Sequence, residues 1–182
     1  MKRWLILAAV MVAIISAVVW GGAEKAKSYS EPQEALFAID NDLLLIPAYK
    51  INDKALFFYI KDGNNLGAAY VNEGIFGWKA DPLTWSPMDN PSNYDTDRLN
   101  GFQKQGENLL YGVMKYDVDR IVQVNGMYAT KYPLYAIQDE EVEMYELQDL
   151  AIWYLESDES LTAGEIKLFD NNNNELLDKF GF

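Results

Sequence analysis

Hydrophobic positions follow two different rules along this chain. Residues 4–20 form one unbroken uncharged run, "WLILAAVMVAIISAVVW", preceded by Lys2 and Arg3. From Leu43 onward the apolar residues come instead in short bursts, each closed by Asn, Asp, Gly or Pro. The first rule predicts a helix without a polar face. At about 1.5 Å per residue that run reaches roughly 26 Å, close to the roughly 30 Å core of a bilayer. The second rule predicts short β-strands joined by tight turns.

Between the two regimes, "EKAKSYS" (residues 24–30) reads as a polar linker. "SEPQEALFAID" then predicts a short helix that covers one side of a sheet. Ser30 serves as N-cap, Pro32 lies in the first turn, Gln33 closes a capping box, and Ala35, Leu36 and Ile39 form the apolar face. Residues 43–80 read as an antiparallel meander. "LLLIPAYKI" has Pro47 as an edge marker, Asn52-Asp53 turns into "KALFFYIK", and "DGNN" turns into "LGAAYVNEG" and then "IFGWKAD". In that last segment Gly74 and Gly77 are expected to bracket a strand start, with Ile75, Phe76 and Trp78 feeding the core.

Residues 81–106 break the pattern. They hold Pro82, Pro87 and Pro91 among many Asp, Asn and Ser, and form the longest irregular stretch. Strands resume with "NLLYGVMKY" and "DVDRIVQVNGMYATKY". In the latter, Val118, Arg120, Val122 and Val124 share a face and Asn125-Gly126 signals a hairpin. "PLYAIQDEEVEMYELQ" fits either a strand with an acidic turn or a short helix. "LAIWYLE" reads as a buried strand, and "GEIKLFD" and "ELLDKF" as a closing hairpin. The expected fold is mostly β, either β-sandwich-like or small α+β. One short N-terminal helix belongs to it, preceded by a single transmembrane or signal helix. The expected organisation is an N-terminal segment 1–23, a linker 24–30 and a domain 31–182 with a candidate split in 81–106.

Composition narrows the chemistry. The 182 residues include no histidine and no cysteine. This excludes His-based acid–base catalysis, Ser-His-Asp triads, thiolate nucleophiles, Cys-type zinc sites, iron–sulfur clusters and disulfides. The net charge of −13 argues against nucleic acid, whose phosphates need clustered Lys and Arg. Without residues 1–23, which carry Lys2, Arg3 and no acid, the chain is two units more negative, at −15. Such a domain is repelled by anionic lipid and is expected to be tethered above a membrane rather than spread on it.

The N-terminal run has two candidate fates. As an anchor through residues 4–22, it keeps Lys2 and Arg3 in the cytoplasm and exports the rest, with Trp20 at the outer interface. As a signal peptide, it is cut after Ala23, with Gly21 and Ala23 at the small-residue positions, and the domain is secreted. A lipoprotein is excluded for lack of a cysteine.

"ALFFYIKDGNNLGAAYVNEGIFGWK" resembles a segment of small, membrane-anchored, exported proteins of Bacillus-type Gram-positive bacteria. The downstream "LLYGVMKYDVDRIVQVNG" and "AIWYLESDESLTAGEIKLFDNNNNELL" are similar to the second half of those proteins. The likeness rests on structural residues across most of residues 30–180. It implies localisation and fold, and carries over no activity, catalytic residue or cofactor.

Few constellations stand out as chemistry. "DNNNNE" (170–175) spaces oxygens like a calcium loop, but positions 6 and 12 are Glu175 and Gly181, so a turn is expected. Asn93, Asp95 and Asp97 alternate in the irregular stretch and are weak candidates for a hard-cation site, with Lys104 at position 12 arguing against an EF-hand. Residues 132–166 hold ten acids and no Lys or Arg, which is either a solubilising face or a surface for a basic partner or cations. A carboxylate pair for glycoside hydrolysis has no motif to single it out. Lys79, Trp85 and Tyr94, at or in the proline-rich stretch, are the candidate partner-binding residues, the two aromatics as exposed anchors. The expectation is therefore a non-enzymatic, extracytoplasmic, tethered domain that needs no cofactor and binds or regulates a protein partner at the cell envelope. The alternatives are a cation- or small-ligand-binding module and a carboxylate-dependent hydrolase.

Overall fold

The computed structural model describes residues 2–137 and 139–182, without the side chains of residues 2, 3 and 5–9. The positive n-region of Lys2 and Arg3 therefore lies outside the described side chains. The chain opens with helix α1 (Lys2–Lys25) and a one-and-a-half-turn helix α2 (Pro32–Phe37). Four strands follow: β1 (Leu44–Ile51), β2 (Lys54–Lys61), β3 (Asn65–Gly74) and β4 (Gly77–Ala80). The irregular stretch contains two three-residue strands, β5 (Trp85–Pro87) and β6 (Gln103–Gln105). After it come β7 (Leu109–Lys115), β8 (Arg120–Val124), β9 (Met127–Tyr128), β10 (Thr130–Pro133), helix α3 (Glu140–Met144), β11 (Leu150–Glu156), β12 (Glu165–Asp170) and β13 (Glu175–Gly181).

Among the described residues the strands form three sheets, ordered β1-β2-β3-β4 with β5 on β3, β10-β11-β7-β6, and β13-β12-β8-β9. The chain is thus mostly β with an N-terminal helix, as expected. Among the described residues, no helix is long and apolar enough to cross a membrane. Two compact units emerge. One comprises Met1–Asp42, Pro47–Phe57 and Ala69–Pro82; the other comprises Leu43–Ile46, Phe58–Ala68 and Leu83–Phe182. The division passes through β1, β2 and β3 as well as between Pro82 and Leu83.

In the first unit, α2 packs on β4 and buries Pro32, Ala35 and Leu36. Its cap differs from expectation by one position. Glu34, not Gln33, reaches back, and its Oε2 accepts from the Ser30 Oγ at 3.0 Å and from the Ser30 and Glu31 N–H groups. The shift follows from the N-cap being Glu31 rather than Ser30, which moves the third helical position to Glu34. The expected linker is also ordered. Tyr29 forms an isolated antiparallel bridge to Trp78, with N–H···O distances of 3.0 and 2.8 Å in the two directions.

In the second unit, the two four-stranded sheets supply one core. Leu110, Met114, Ala151 and Trp153 come from one sheet, and Val122, Val124, Ile166 and Leu168 from the other. Phe58 packs its ring on Tyr111 and Tyr154, with centroids 5.4 and 5.1 Å apart. The Tyr59 hydroxyl donates to the Thr84 carbonyl at 2.6 Å. Asn125-Gly126 makes the expected hairpin, both residues having positive φ. Val118 departs from the expected face. It precedes β8 and is exposed, while Val122 and Val124 are buried.

Burial pushes the ionisation of three phenols in this unit upward, Tyr59, Tyr94 and Tyr111. Burial raises Tyr59 to about 12 against the hydrogen bond to Thr84, and raises Tyr94 to about 12 with help from the Asp89 carboxylate. Burial also pushes Tyr111 up, with Tyr59 adding to it. A phenol whose folded pKa lies above its unfolded value of about 10 contributes stability in full below pH 10 and loses it as pH rises toward 12. Alkaline unfolding is therefore expected between about pH 10 and 12. Phenolate absorbance from the buried tyrosines should appear together with loss of near-UV circular dichroism. Full phenolate titration near pH 10 with the tertiary signal intact would contradict this.

Candidate functional site

The stretch that was ambiguous in the sequence forms a concave surface in the second unit. Residues Leu134–Ala136 make a 3-10 turn, and Asp139 then caps α3, its Oδ1 accepting from the Glu141 N–H at 2.9 Å. Glu140, Glu141 and Glu143 occupy the first turn, where unsatisfied N–H groups favour negative charge. Val142 is buried and pins the helix to the unit. A groove of about 420 Å³ results, lined by Tyr135, Ile137, Asp139, Glu140, Val142, Glu143 and Gln148. Its lining carries three carboxylates and no cation, beside an apolar floor.

Lys131, on β10, is engaged by other partners. Lys131 donates to the carbonyls of Arg120 at 2.8 Å and of Asp117, and lies 5.2 Å from the Tyr116 ring. Burial lowers the Lys131 pKa, opposed by Asp117 and Asp119. Tyr116 in turn meets Tyr135 edge-on at 5.2 Å, and their hydroxyls lie 3.5 Å apart. The Tyr135 ring is thus held at the groove's edge while remaining exposed.

The residues singled out in the sequence are placed as follows. Trp85 is exposed at 46% on β5, with the Lys61 ammonium 5.2 Å from its ring, and so remains available as an anchor. Tyr94 does not, since it is buried at 5%. It follows the 3-10 turn Pro91–Asn93 and lines a cavity of about 190 Å³ with Asp89, Asn100 and Phe102. The sequence shows only a polar loop there, and the partners that bury the ring lie elsewhere on that loop. Lys79 is not a free cation either, because it pairs with Glu24 at the end of α1.

Asn93, Asp95 and Asp97 do come together, lining a cleft of about 740 Å³ with Arg98, Asn100 and Asp178. One oxygen of each aspartate is committed to the fold. The Asp95 Oδ1 accepts from the Asp97 N–H at 3.0 Å. The Asp97 Oδ1 accepts from the Arg120 Nη2 at 2.8 Å and Nε at 3.1 Å, while Arg120 Nη1 donates to Asp170 at 3.0 Å. Among the described residues, no group of three or more Asp, Glu, His or Cys is placed to hold a metal. Asp97 and Asp170 act instead as a clasp on Arg120, whose pKa they raise. In the DNNNN loop, the Asp170 and Asn173 side chains accept from backbone N–H groups two residues on, and Asn174 has positive φ, as a turn requires.

Compared with protein families, with curated proteins and with solved structures, the chain matches none.

Proposed function

We propose that this chain is a non-enzymatic binding module, tethered by α1 to the cell membrane with its C-terminal part outside, that captures a basic segment of an envelope protein. The observation that carries the binding half is the groove at α3, an apolar floor rimmed by Asp139, Glu140 and Glu143. A Lys- or Arg-bearing segment with apolar residues between its cations fits that lining, since opposite charges steer the encounter and the buried aliphatic surface holds it. The surrounding 132–166 stretch, without Lys or Arg, extends the same field. The tethering half rests on the uncharged run Trp4–Trp20 in the sequence and on the exposure of Val10, Met11, Ile14, Ile15, Val18, Val19 and Trp20 along α1. An apolar helix surface of that extent marks a membrane or partner contact. It also fits the resemblance to membrane-anchored exported proteins of Bacillus-type bacteria.

The test uses the full chain in nanodiscs and a fluorescent ten-residue peptide alternating Lys and Leu. Binding should weaken as salt rises. The double variant Glu140→Lys, Glu143→Lys should lose about tenfold or more in affinity, since about 1.4 kcal/mol is one decade. Unchanged affinity in that variant would overturn the groove as the binding surface. Protection of residues 30–182 from external protease in intact cells would overturn the exported topology.

A further inference from the structure

The hairpin between β3 and β4 places its most hydrophobic residues where a turn least needs them. Gly74 pairs with Gly77, so the loop is the dipeptide Ile75-Phe76. Two-residue hairpin loops favour Gly, Asn and Asp, residues that tolerate positive φ. Here Ile75 is 92% exposed and Phe76 is also exposed. Both were expected in the core, and only Trp78 is buried there. The reason is the register. With Gly74 opposite Gly77, residues 75 and 76 cannot enter the sheet, and Trp78 is the first large side chain on the inward face.

The position of this tip within its unit is specific. The Phe76 ring tip lies 3.7 Å from where a side chain on Gly21 would begin, one residue past Trp20 at the end of the apolar run. Farther along the hairpin the contacts fall on residues beyond the apolar run, Trp78 bridging Tyr29 and Lys79 pairing with Glu24. The hairpin therefore leads away from the apolar part of α1, and its tip marks the level where that part ends. Trp20 is 60% exposed at this level, with Lys25 and Lys27 exposed just beyond. Glu24 is paired with Lys79, and the further acids of this hairpin region are Glu73 on β3 and Asp53, whose carbonyl accepts from the Glu73 N–H at 2.7 Å. Two lysines against two acids leave little net field, so apolar contact decides.

We infer that Ile75 and Phe76 form a second membrane contact, a hairpin tip that dips into the outer lipid interface beside the anchor. This rests on the tethered reading of α1. The tip holds the first unit at a fixed height and orientation, because a helix alone leaves a tethered domain free to swivel. Apolar groups at such interfaces lie about 5–10 Å into the headgroup and acyl boundary.

The chain has no cysteine, so single labels are clean. Three full-length variants, Val18→Cys, Ile75→Cys and Asp81→Cys, each carry an environment-sensitive fluorophore in zwitterionic or anionic nanodiscs. Asp81 follows β4, roughly 13 Å from Gly77 at about 3.3 Å per residue, and is exposed. Shallow nitroxide lipids should quench the labels at 18 and 75 roughly twofold and leave that at 81 bright, as the interfacial depth above requires. The result should be the same in both lipids. Quenching at 18 without quenching at 75 overturns the tip contact and keeps the anchor. Quenching at 75 only with anionic lipid overturns it in favour of headgroup binding by Lys25 and Lys27. No quenching at 18 overturns the tethered reading itself.

Discussion

Trp153→Ala should destabilise the second unit by about 3–5 kcal/mol, the range for removing a fully buried large side chain. Trp153 is fully buried in the shared core and pairs in register with Gly112 on β7. The glycine is there for the indole. A Cβ on Gly112 would lie 2.9 Å from the ring and 2.8 Å from the Gly101 carbonyl oxygen. The indole fills the space that a side chain at 112 would take. Against a typical total of about 5–15 kcal/mol, such a loss removes a large share of the stability. Trp153→Phe should behave differently. The indole Nε1 is buried without a partner among the described residues, and leaving a donor unpaired costs about 1–3 kcal/mol. Phenylalanine removes that donor while keeping most of the apolar contact, so its loss should stay within about 1.5 kcal/mol. Urea titration followed by circular dichroism, with hydrogen exchange at Val113 and Ile152, reads both variants. An alanine variant within about 0.5 kcal/mol of the native chain, the scale of a neutral surface change, would refute the packing argument.

The contrast between Trp153 and its surroundings also shows what the sequence discloses. "LAIWYLE" and "NLLYGVMKY" are continuous apolar bursts, and such bursts mean strands buried on both faces, which is how β7 and β11 are found. Asn125-Gly126 and the four asparagines name their turns because positive φ is chemically restricted. What stayed hidden depends on partners distant in the chain. Asp97 looks like a free loop carboxylate until Arg120, 23 residues on, closes over it. Tyr94 looks exposed because a polar loop surrounds it in sequence, whereas in space it is buried beside a cavity it lines with Asp89 and Phe102. Lys79 looks like a solvated cation, yet Glu24 lies 55 residues back, in what reads as a linker. The groove had a trace in the sequence, the absence of Lys and Arg over 132–166. Its concavity arises only when the 3-10 turn and α3 fold the acids around Ile137 and Val142. Ile75 and Phe76 were misread for a related reason. Hydrophobicity announces burial, and at a hairpin tip it announces burial against something other than the chain's own core.

Gly77→Ala should cost about 2–6 kcal/mol and concentrate its damage in the first unit. Two penalties coincide. Gly77 has φ of +124°, and holding a non-glycine residue in such a conformation costs about 1–3 kcal/mol. A Cβ there would also lie 2.4 Å from the Tyr29 carbonyl oxygen, and relieving such overpacking costs typically about 1–3 kcal/mol more. That oxygen accepts from the Trp78 N–H, so moving it breaks the Tyr29–Trp78 bridge that fastens the end of α1 to the hairpin. Gly74 is the control built into the same turn. Its added Cβ would find nothing closer than 3.7 Å and its φ is not positive, so Gly74→Ala should change stability by about 0.5 kcal/mol or less. Hydrogen exchange separates the cases. In Gly77→Ala the amides of Tyr29 and Trp78 should lose protection while Val113 and Ile152 keep theirs, and in Gly74→Ala all four should stay protected. The same variant bears on the membrane contact. If the bridge holds the tip at the level of Trp20, then Ile75→Cys combined with Gly77→Ala should lose its lipid quenching while Val18→Cys combined with Gly77→Ala keeps it. Equal protection of Tyr29 and Trp78 in the two alanine variants would show that the two glycines are interchangeable and that the bridge does not fix the hairpin.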